Sequence, residues 1–171
     1  HNDMTVLERK LKLTPRKAPK MIVVDGVYSM EGDICPLPDL VRLGEKYNAL
    51  VMVDDAHGLG VIGENGSGTA SHFGLTDRTD LIMGTFSKSF GSLGGFIAGD
   101  DDIINYLKHH SRSLIFSASM TPAAVAAASK AIDIMIEEPQ RRENLWKVTL
   151  HAQQAFKEAG FRILIDDFGS G

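Results

Sequence analysis

Residues 51–68 read VMVDDAHGLGVIGENGSG, and the fold turns on where the strand in this stretch stops and what the glycines after it are for. With Ala49 and Leu50 in front, the run ALVMVDD is apolar without interruption up to a pair of carboxylates. A strand with no polar alternation is expected to be buried on both faces, as in a parallel sheet. Parallel strands need a crossover between them, usually a helix. The preceding residues supply one: PLPDLVRLGEKYN sets Leu37, Leu40, Val41 and Leu43 at helical spacing, with Asp39 and Glu45 on the polar side. Before it, KMIVVD is a β-rich run over Met21 to Asp25. Strand, helix, strand is the reading of this part, a right-handed crossover unit.

Downstream, a glycine-rich loop from Gly58 to Gly68 leads to DLIMGT as a third strand and, past a Ser/Gly turn, GGFIAG as a fourth. Helices then dominate. DDIINYLKHH opens on acidic residues suited to a positive helix start, and TPAAVAAASKAIDIMIEE has Pro122 in its first turn. After Pro139, QRRENLWKVTLHAQQAFKEAGF places Leu145, Val148, Leu150, Ala152 and Phe156 broadly on one side and stops at Gly160. FRILI is expected to be a further strand that opens a second domain, because two helices separate it from the sheet. The fold class is α/β, a mostly parallel sheet flanked by helices. Residues 1–138 form its main domain, and 139–171 a linking helix and the start of a smaller one.

The totals set bounds. The 171 residues have the length of one domain or a little more, 43% of them hydrophobic, with a net charge of −4 and no basic block to recommend nucleic acid. Arg16, Lys17 and Lys20, beside Pro15 and Pro19, read as a solvated loop. Cys35 is the single cysteine, which rules out an internal disulfide framework or a cysteine-based zinc site and makes a reducing cytoplasm the default. Apolar runs such as ALVMV and AAVAAA fall short of the roughly 20 residues that cross a bilayer, and the charged start HNDMTVLERKLK is no signal peptide. The chain opens at His1 without an initiator methionine and ends in DDFGSG, a turn, so it reads as part of something longer.

Gly58, Gly60 and Gly63 spell G-x-G-x-x-G, yet a dinucleotide fingerprint needs a helix to start directly after its glycines so that the pyrophosphate lies on the helix N-terminus. Here ENGSGTASHFG follows, with more glycines and no apolar helical period, and neither Asp77 nor Asp80 follows a strand as the ribose-binding acid should. The glycines read as a tight surface loop, and an NAD-dependent oxidoreductase using Gly58–Gly63 stands as the rival reading from another class. TFSKS lacks P-loop spacing, no serine sits in G-x-S-x-G, and Asp54, Asp55 and His57 lack the further ligands that a metal site would need.

What remains is a constellation at strand ends. Asp54 closes one strand and His57 follows it; Thr85, Ser87 and Lys88 follow the end of the next; Ser29 follows the first. Open α/β sheets bind ligands at the carboxyl ends of their strands. A lysine among small residues can lose its proton and form a Schiff base with an aldehyde. An aspartate facing a pyridine nitrogen keeps that nitrogen protonated. Together they are what pyridoxal phosphate needs to act as an electron sink. Taken singly, each residue has a plainer reading: a capping aspartate, a hydrogen-bonded structural histidine, a solvated lysine.

In order and spacing, DGVYSMEGD, VMVDDAHGLGVIGENGSG, DLIMGTFSKSFGSLGGFIAG and FSASMTP resemble the α-oxoamine synthases, a fold-type I family of pyridoxal phosphate enzymes. The wording is most similar to the serine palmitoyltransferase branch, with 8-amino-7-oxononanoate synthase and glycine C-acetyltransferase as neighbouring branches. The resemblance implies the large domain of a fold-type I transferase. Lys88 would be the lysine that joins the cofactor, Asp54 would contact the pyridine nitrogen, and His57 and Ser29 would hydrogen-bond the phenolic oxygen. Thr85 and Ser87 would lie beside the cofactor and its phosphate. Ser117 and Ala118 would reach the phosphate of the neighbouring subunit in a homodimer with a shared active site. The substrates implied are an amino acid and an acyl-CoA. The family's glycine-aromatic phosphate turn and ring-stacking histidine precede the matched region, and its substrate-carboxylate arginine follows it, so the chain by itself is not expected to be a competent enzyme. A non-catalytic partner subunit is a third reading, and Lys88 argues against it.

Overall fold

A computed structural model describes residues 1–161. Its frame is a four-stranded sheet in the order β1 (Met21–Asp25), β2 (Leu50–Asp54), β3 (Leu81–Thr85), β4 (Gly95–Gly99). The first three strands run parallel and β4 runs antiparallel to β3, so the sheet is mostly parallel as the sequence reading expects. The register aligns Asp25 with Asp54 and Asp54 with Met83, which brings the carboxyl ends of three strands to one edge.

Helix α1 (Met4–Leu13) precedes the sheet and α2 (Leu37–Tyr47) joins β1 to β2. The apolar stripe of α2 packs onto one sheet face, where Leu37, Leu40, Val41 and Leu43 meet Ile22, Val51 and Val53 in the core, joined by Leu11 of α1. Asn48 ends α2 in the left-handed region at φ 52°, a conformation asparagine tolerates better than most residues. No element was expected before Met21; α1 forms there because Asp3 accepts a hydrogen bond from the Val6 N–H and caps it. Glu8 then ties it to Lys46 and Tyr47 of α2.

The expectation that β2 is buried on both faces needs correcting. Val51 and Val53 are buried, whereas Leu50 is 40% exposed, and Val23 on β1 is 58% exposed. Among the described residues, α1 and α2 cover one face only, and the side chains that alternate to the other are less covered. Beyond a short α3 (Thr69–His72) and β3, the remaining helices are α4 (Asp101–His110), α5 (Arg112–Ile115), α6 (Pro122–Glu137) and α7 (Gln140–Glu158). Thr121 caps α6 through the Ala124 N–H, with Pro122 in the first turn. The apolar side of α7 is open: Leu145, Val148, Leu150 and Phe156 are all exposed. The strand expected in FRILI lies, after Phe161, outside the described residues.

Candidate active site

The end of β2 is held from both sides, since the Gly26 N–H donates to the Asp54 carbonyl at 2.7 Å and the Asp55 N–H to the Met83 carbonyl at 2.8 Å. The chain then turns, with the Leu59 N–H returning to the Asp55 carbonyl at 3.0 Å, and this turn presents His57. On the neighbouring strand β3 ends at Thr85, and residues 86–94 lead back into β4. That connection is braced: the Phe86 N–H donates to the Gly94 carbonyl at 2.9 Å, and the Phe86 ring sits 5.6 Å from the rings of both Phe90 and Phe96. Lys88 rides on it. Its Nζ lies 2.7 Å from His57 Nε2, so two strand ends place an amine and an imidazole in hydrogen-bond contact.

The other expected residues divide into those at the same edge and those apart from it. Asp54 is half-buried and accepts from the Ala56 N–H at 3.1 Å. Thr85 Oγ1 and Ser87 Oγ are 2.8 Å apart, and Thr85 also donates to the Gly94 carbonyl. Ser29 is exposed in the turn after β1. Ser117 and Ala118 are exposed beyond α5, where the Ser117 hydroxyl donates to the Ser113 carbonyl. Among the described residues no hydrogen bond joins Ser29 or Ser117 to Asp54, His57 or Lys88. Beside His57 and Lys88 a cleft of about 410 Å³ is lined also by Ala56, Gly60, Arg142 and Leu145. No group of His, Cys, Asp and Glu among the described residues is set to hold a metal ion.

The second carboxylate of the pair does something different. Asp55 is fully buried, accepting from the Thr69 N–H at 2.6 Å through Oδ2 and from the Thr69 hydroxyl at 2.7 Å through Oδ1. Burial pushes its pKa up, and the Thr69 donors and the Gly58 N–H oppose that shift. A Cβ built at Gly26, Gly58 or Gly68 would come nearer to this carboxylate than the 3.0 Å that real Cβ atoms keep. At Gly60, φ +81°, it would meet Ser89, whose hydroxyl donates to the Leu59 carbonyl at 2.7 Å. The glycines therefore serve close packing around Asp55 and against the Lys88 connection. Gly58, Leu59, Ile62, Gly66 and Gly68 are buried, so the loop is tight, as expected, but its inner side belongs to the interior and not the surface.

Sequence reasoning missed Thr69, a lone threonine fourteen residues from its partner with no pattern to mark it. It also missed the brace on the loop's outer side. There the Trp146 indole N–H of α7 donates to the Val61 carbonyl at 3.1 Å, while Arg142 ties α7 to α6 by donating to the Met135 carbonyl.

The sequence profile described as aminotransferase class I and II matches residues 1–169. A serine palmitoyltransferase of Sphingobacterium spiritivorum is 63% identical over 161 residues, which are 94% of this chain and 40% of that protein. The 8-amino-7-oxononanoate synthase 1 of Bacillus velezensis is 48% identical over 163 residues, 95% of this chain and 42% of that protein. Among solved structures, a serine palmitoyltransferase variant from S. paucimobilis with a bound PLP-myriocin aldimine superposes at a TM-score of 0.92 with 36% identity, covering 97% of this chain and 43% of that one. The serine palmitoyltransferase of Sphingomonas wittichii gives 0.92 and 36%, covering 97% and 42%. The chain thus spans about two-fifths of the length of the relatives it matches. By the match of its sequence and its fold, the chain belongs to the aminotransferase class I and II family.

Proposed function

We propose that this chain carries the reactive centre of a pyridoxal phosphate-dependent C-acyltransferase. The reaction condenses an amino acid with an acyl-CoA thioester, losing carbon dioxide and releasing coenzyme A with a 2-amino ketone. The carrying observation is the 2.7 Å contact between Lys88 Nζ and His57 Nε2 at the carboxyl edge of the parallel strands. Serine palmitoyltransferase-like chemistry is favoured by the 63% identity to a protein of that name, and the 48% identity to an 8-amino-7-oxononanoate synthase supplies the second reading.

The donor set fits the cofactor: a primary amine, a carboxylate at a strand end, an imidazole, and the hydroxyls of Ser29, Thr85 and Ser87 on one edge of the sheet. Lys88 would hold the aldehyde carbon, Asp54 the pyridine nitrogen, His57 and Ser29 the phenolic oxygen, and Thr85 and Ser87 the phosphate. Bound pyridoxal phosphate would supply an electron sink for the negative charge that develops at the amino acid's α-carbon, before the new carbon-carbon bond forms and again as carbon dioxide leaves. Asp54, as a carboxylate, keeps a proton on the ring nitrogen. Lys88 would take the proton from the amino acid's α-carbon. His57, in contact with its Nζ, orients that amine and holds the hydrogen bond while the proton moves. Ser117 and Ala118, exposed beyond α5, would complete the phosphate site of a second subunit in a homodimer. On this reading α7 links the large domain to a smaller C-terminal one. No helix among the described residues is long and apolar enough to cross a membrane, and a cytoplasmic enzyme is the proposal.

Borohydride reduction of the full-length protein loaded with pyridoxal phosphate, followed by peptide mapping, should put the cofactor on Lys88. Lys88→Ala should abolish turnover and leave the circular dichroism spectrum unchanged. Cofactor on another lysine, or full activity in that variant, rejects the assignment. An NAD-dependent oxidoreductase would show neither the yellow colour nor a spectral shift on adding amino acid.

A further inference from the structure

Asp55 has no part in the chemistry just described, yet it is the most deeply placed ionisable side chain near it, with no exposed surface. Its backbone is the hinge of the site. The Asp55 N–H is fixed to β3 through the Met83 carbonyl, its carbonyl receives the Leu59 N–H, and the residues between are Ala56, His57 and Gly58. Its side chain reaches the other way, to the N–H and hydroxyl of Thr69 at 2.6 and 2.7 Å, at the first residue of α3. Gly26, after β1, closes over both ends, because a Cβ there would lie 2.6 Å from Asp55 Oδ1 and closer still to the Thr69 hydroxyl.

We infer that Asp55 and Thr69 are positioning residues: their paired hydrogen bonds set the turn that holds His57 against Lys88. The turn is shaped from within by the Ala56 N–H on Asp54 Oδ1, the Leu59 N–H on the Asp55 carbonyl and the Ile62 N–H on the Gly58 carbonyl, and the clamp fixes where that turn sits. Gly58 has no side chain to pack, and His57 is only partly covered. Without the clamp, the turn keeps those internal bonds but shifts as a unit against α3, and the His57 imidazole leaves hydrogen-bond range of the Lys88 amine. The role is geometric. An asparagine would keep a bond to the Thr69 N–H and, with its amide donating, one to the Thr69 Oγ1, but its NH2 would face the Gly58 N–H that the carboxylate now accepts, so it restores the clamp only in part.

This inference rests on the reading of Lys88 and His57 as the reactive pair, and its test includes a measurement that needs neither cofactor nor turnover. Thr69→Val keeps the shape of the side chain and removes the donor, Thr69→Ser keeps the donor, and Asp55→Asn keeps the shape without the charge. All three are made in the full-length protein. In the cofactor-free protein, trace acetylation measured by mass spectrometry gives the reactivity of Lys88 relative to Lys130, an exposed lysine on α6. Thr69→Val should change that ratio severalfold, while Thr69→Ser leaves it near the wild-type value and Asp55→Asn, which loses the Gly58 contact, falls between them. In the loaded enzyme Thr69→Val should lower kcat by about tenfold or more with little change in KM, the mark of a misplaced catalytic group. A Thr69→Val protein with the wild-type ratio and kcat overturns the inference, whatever its melting temperature. If that variant does not fold, Thr69→Ala, which also removes the hydroxyl donor, decides: a changed Lys88 ratio in the folded protein supports the inference and an unchanged one overturns it. Cofactor mapped to another lysine would reject the underlying assignment and leave the acetylation comparison standing.

Discussion

Glu8 shows how a single exposed-side carboxylate couples folding to pH. Its Oε1 accepts from Lys46 Nζ at 2.7 Å and from the Tyr47 hydroxyl at 2.8 Å, with Lys12 Nζ 3.6 Å away. Led by the Lys46 hydrogen bond, these partners pull its pKa from 4.5 down to about 2. A carboxylate whose pKa is lower in the folded state stabilises the fold above its unfolded value, and that contribution fades as pH falls through the window between them. Glu8→Gln should therefore show a small drop in Tm at neutral pH. In scanning calorimetry the gap to wild type should close on acidification from pH 4.5 towards 2, and narrow in high salt, because the pair is near solvent. An unchanged gap across that range would show that packing, not charge, is at work. The reactive residues were legible because chemistry and topology agree on them: an acid at a strand end, a histidine just after it, a lysine past the next strand. Their contact distance was not legible, since it depends on the braced 86–94 connection. Thr69 was invisible, because a buried hydroxyl bonded across a loop leaves no periodic trace.

At the scale of elements, α2 and β2 show how close packing overrides propensity. Gly44 lies in the last turns of α2, where alanine would ordinarily be favoured by up to about 1 kcal/mol. Here a Cβ would sit 2.7 Å from Val51 Cγ2 and 2.9 Å from the Ala49 carbonyl oxygen. The valine methyl can give way, but the backbone oxygen accepts no displacement without moving the start of β2. Overpacking of this kind costs about 1–3 kcal/mol, which outweighs the gain. Gly44→Ala should thus lower the denaturant midpoint, and a raised midpoint would mean that helix and strand slide apart cheaply. The apolar periods of α2 and α7, the Pro122 start of α6 and the β-rich runs were readable, because each is a local mark of its element. Two things were not. The helix α1 carries its cap in Asp3 but its charged residues mask a short apolar stripe, and the single-sided burial of β2 depends on which layers lie against the sheet.

For the molecule as a whole, the exposed Ser117 and Ala118 stand at the end of a chain segment far from the Lys88 connection in sequence, and the proposed dimer gives them a place at the neighbour's phosphate. If the site is shared, defects on the two sides of it complement. Lys88→Ala and Ser117→Arg proteins, each inactive alone, should regain part of the activity when unfolded together and refolded into mixed dimers. Hybrids in which one site is intact would account for it, and mixtures that stay inactive would place Ser117 outside the neighbour's site.

The cradle around Asp55 also bears on how such a sequence can change. The glycines at 26, 58 and 68 leave room for one carboxylate, but Gly26 and Gly58 also make room for the Thr69 hydroxyl and Gly68 is held at φ +95°, so a smaller residue at 55 does not by itself admit a side chain at any of them. Positions 26, 55, 58, 68 and 69 are thus one unit of inheritance dispersed along the chain: a drift that alters one alone is trapped, and a different loop needs several of them to change together.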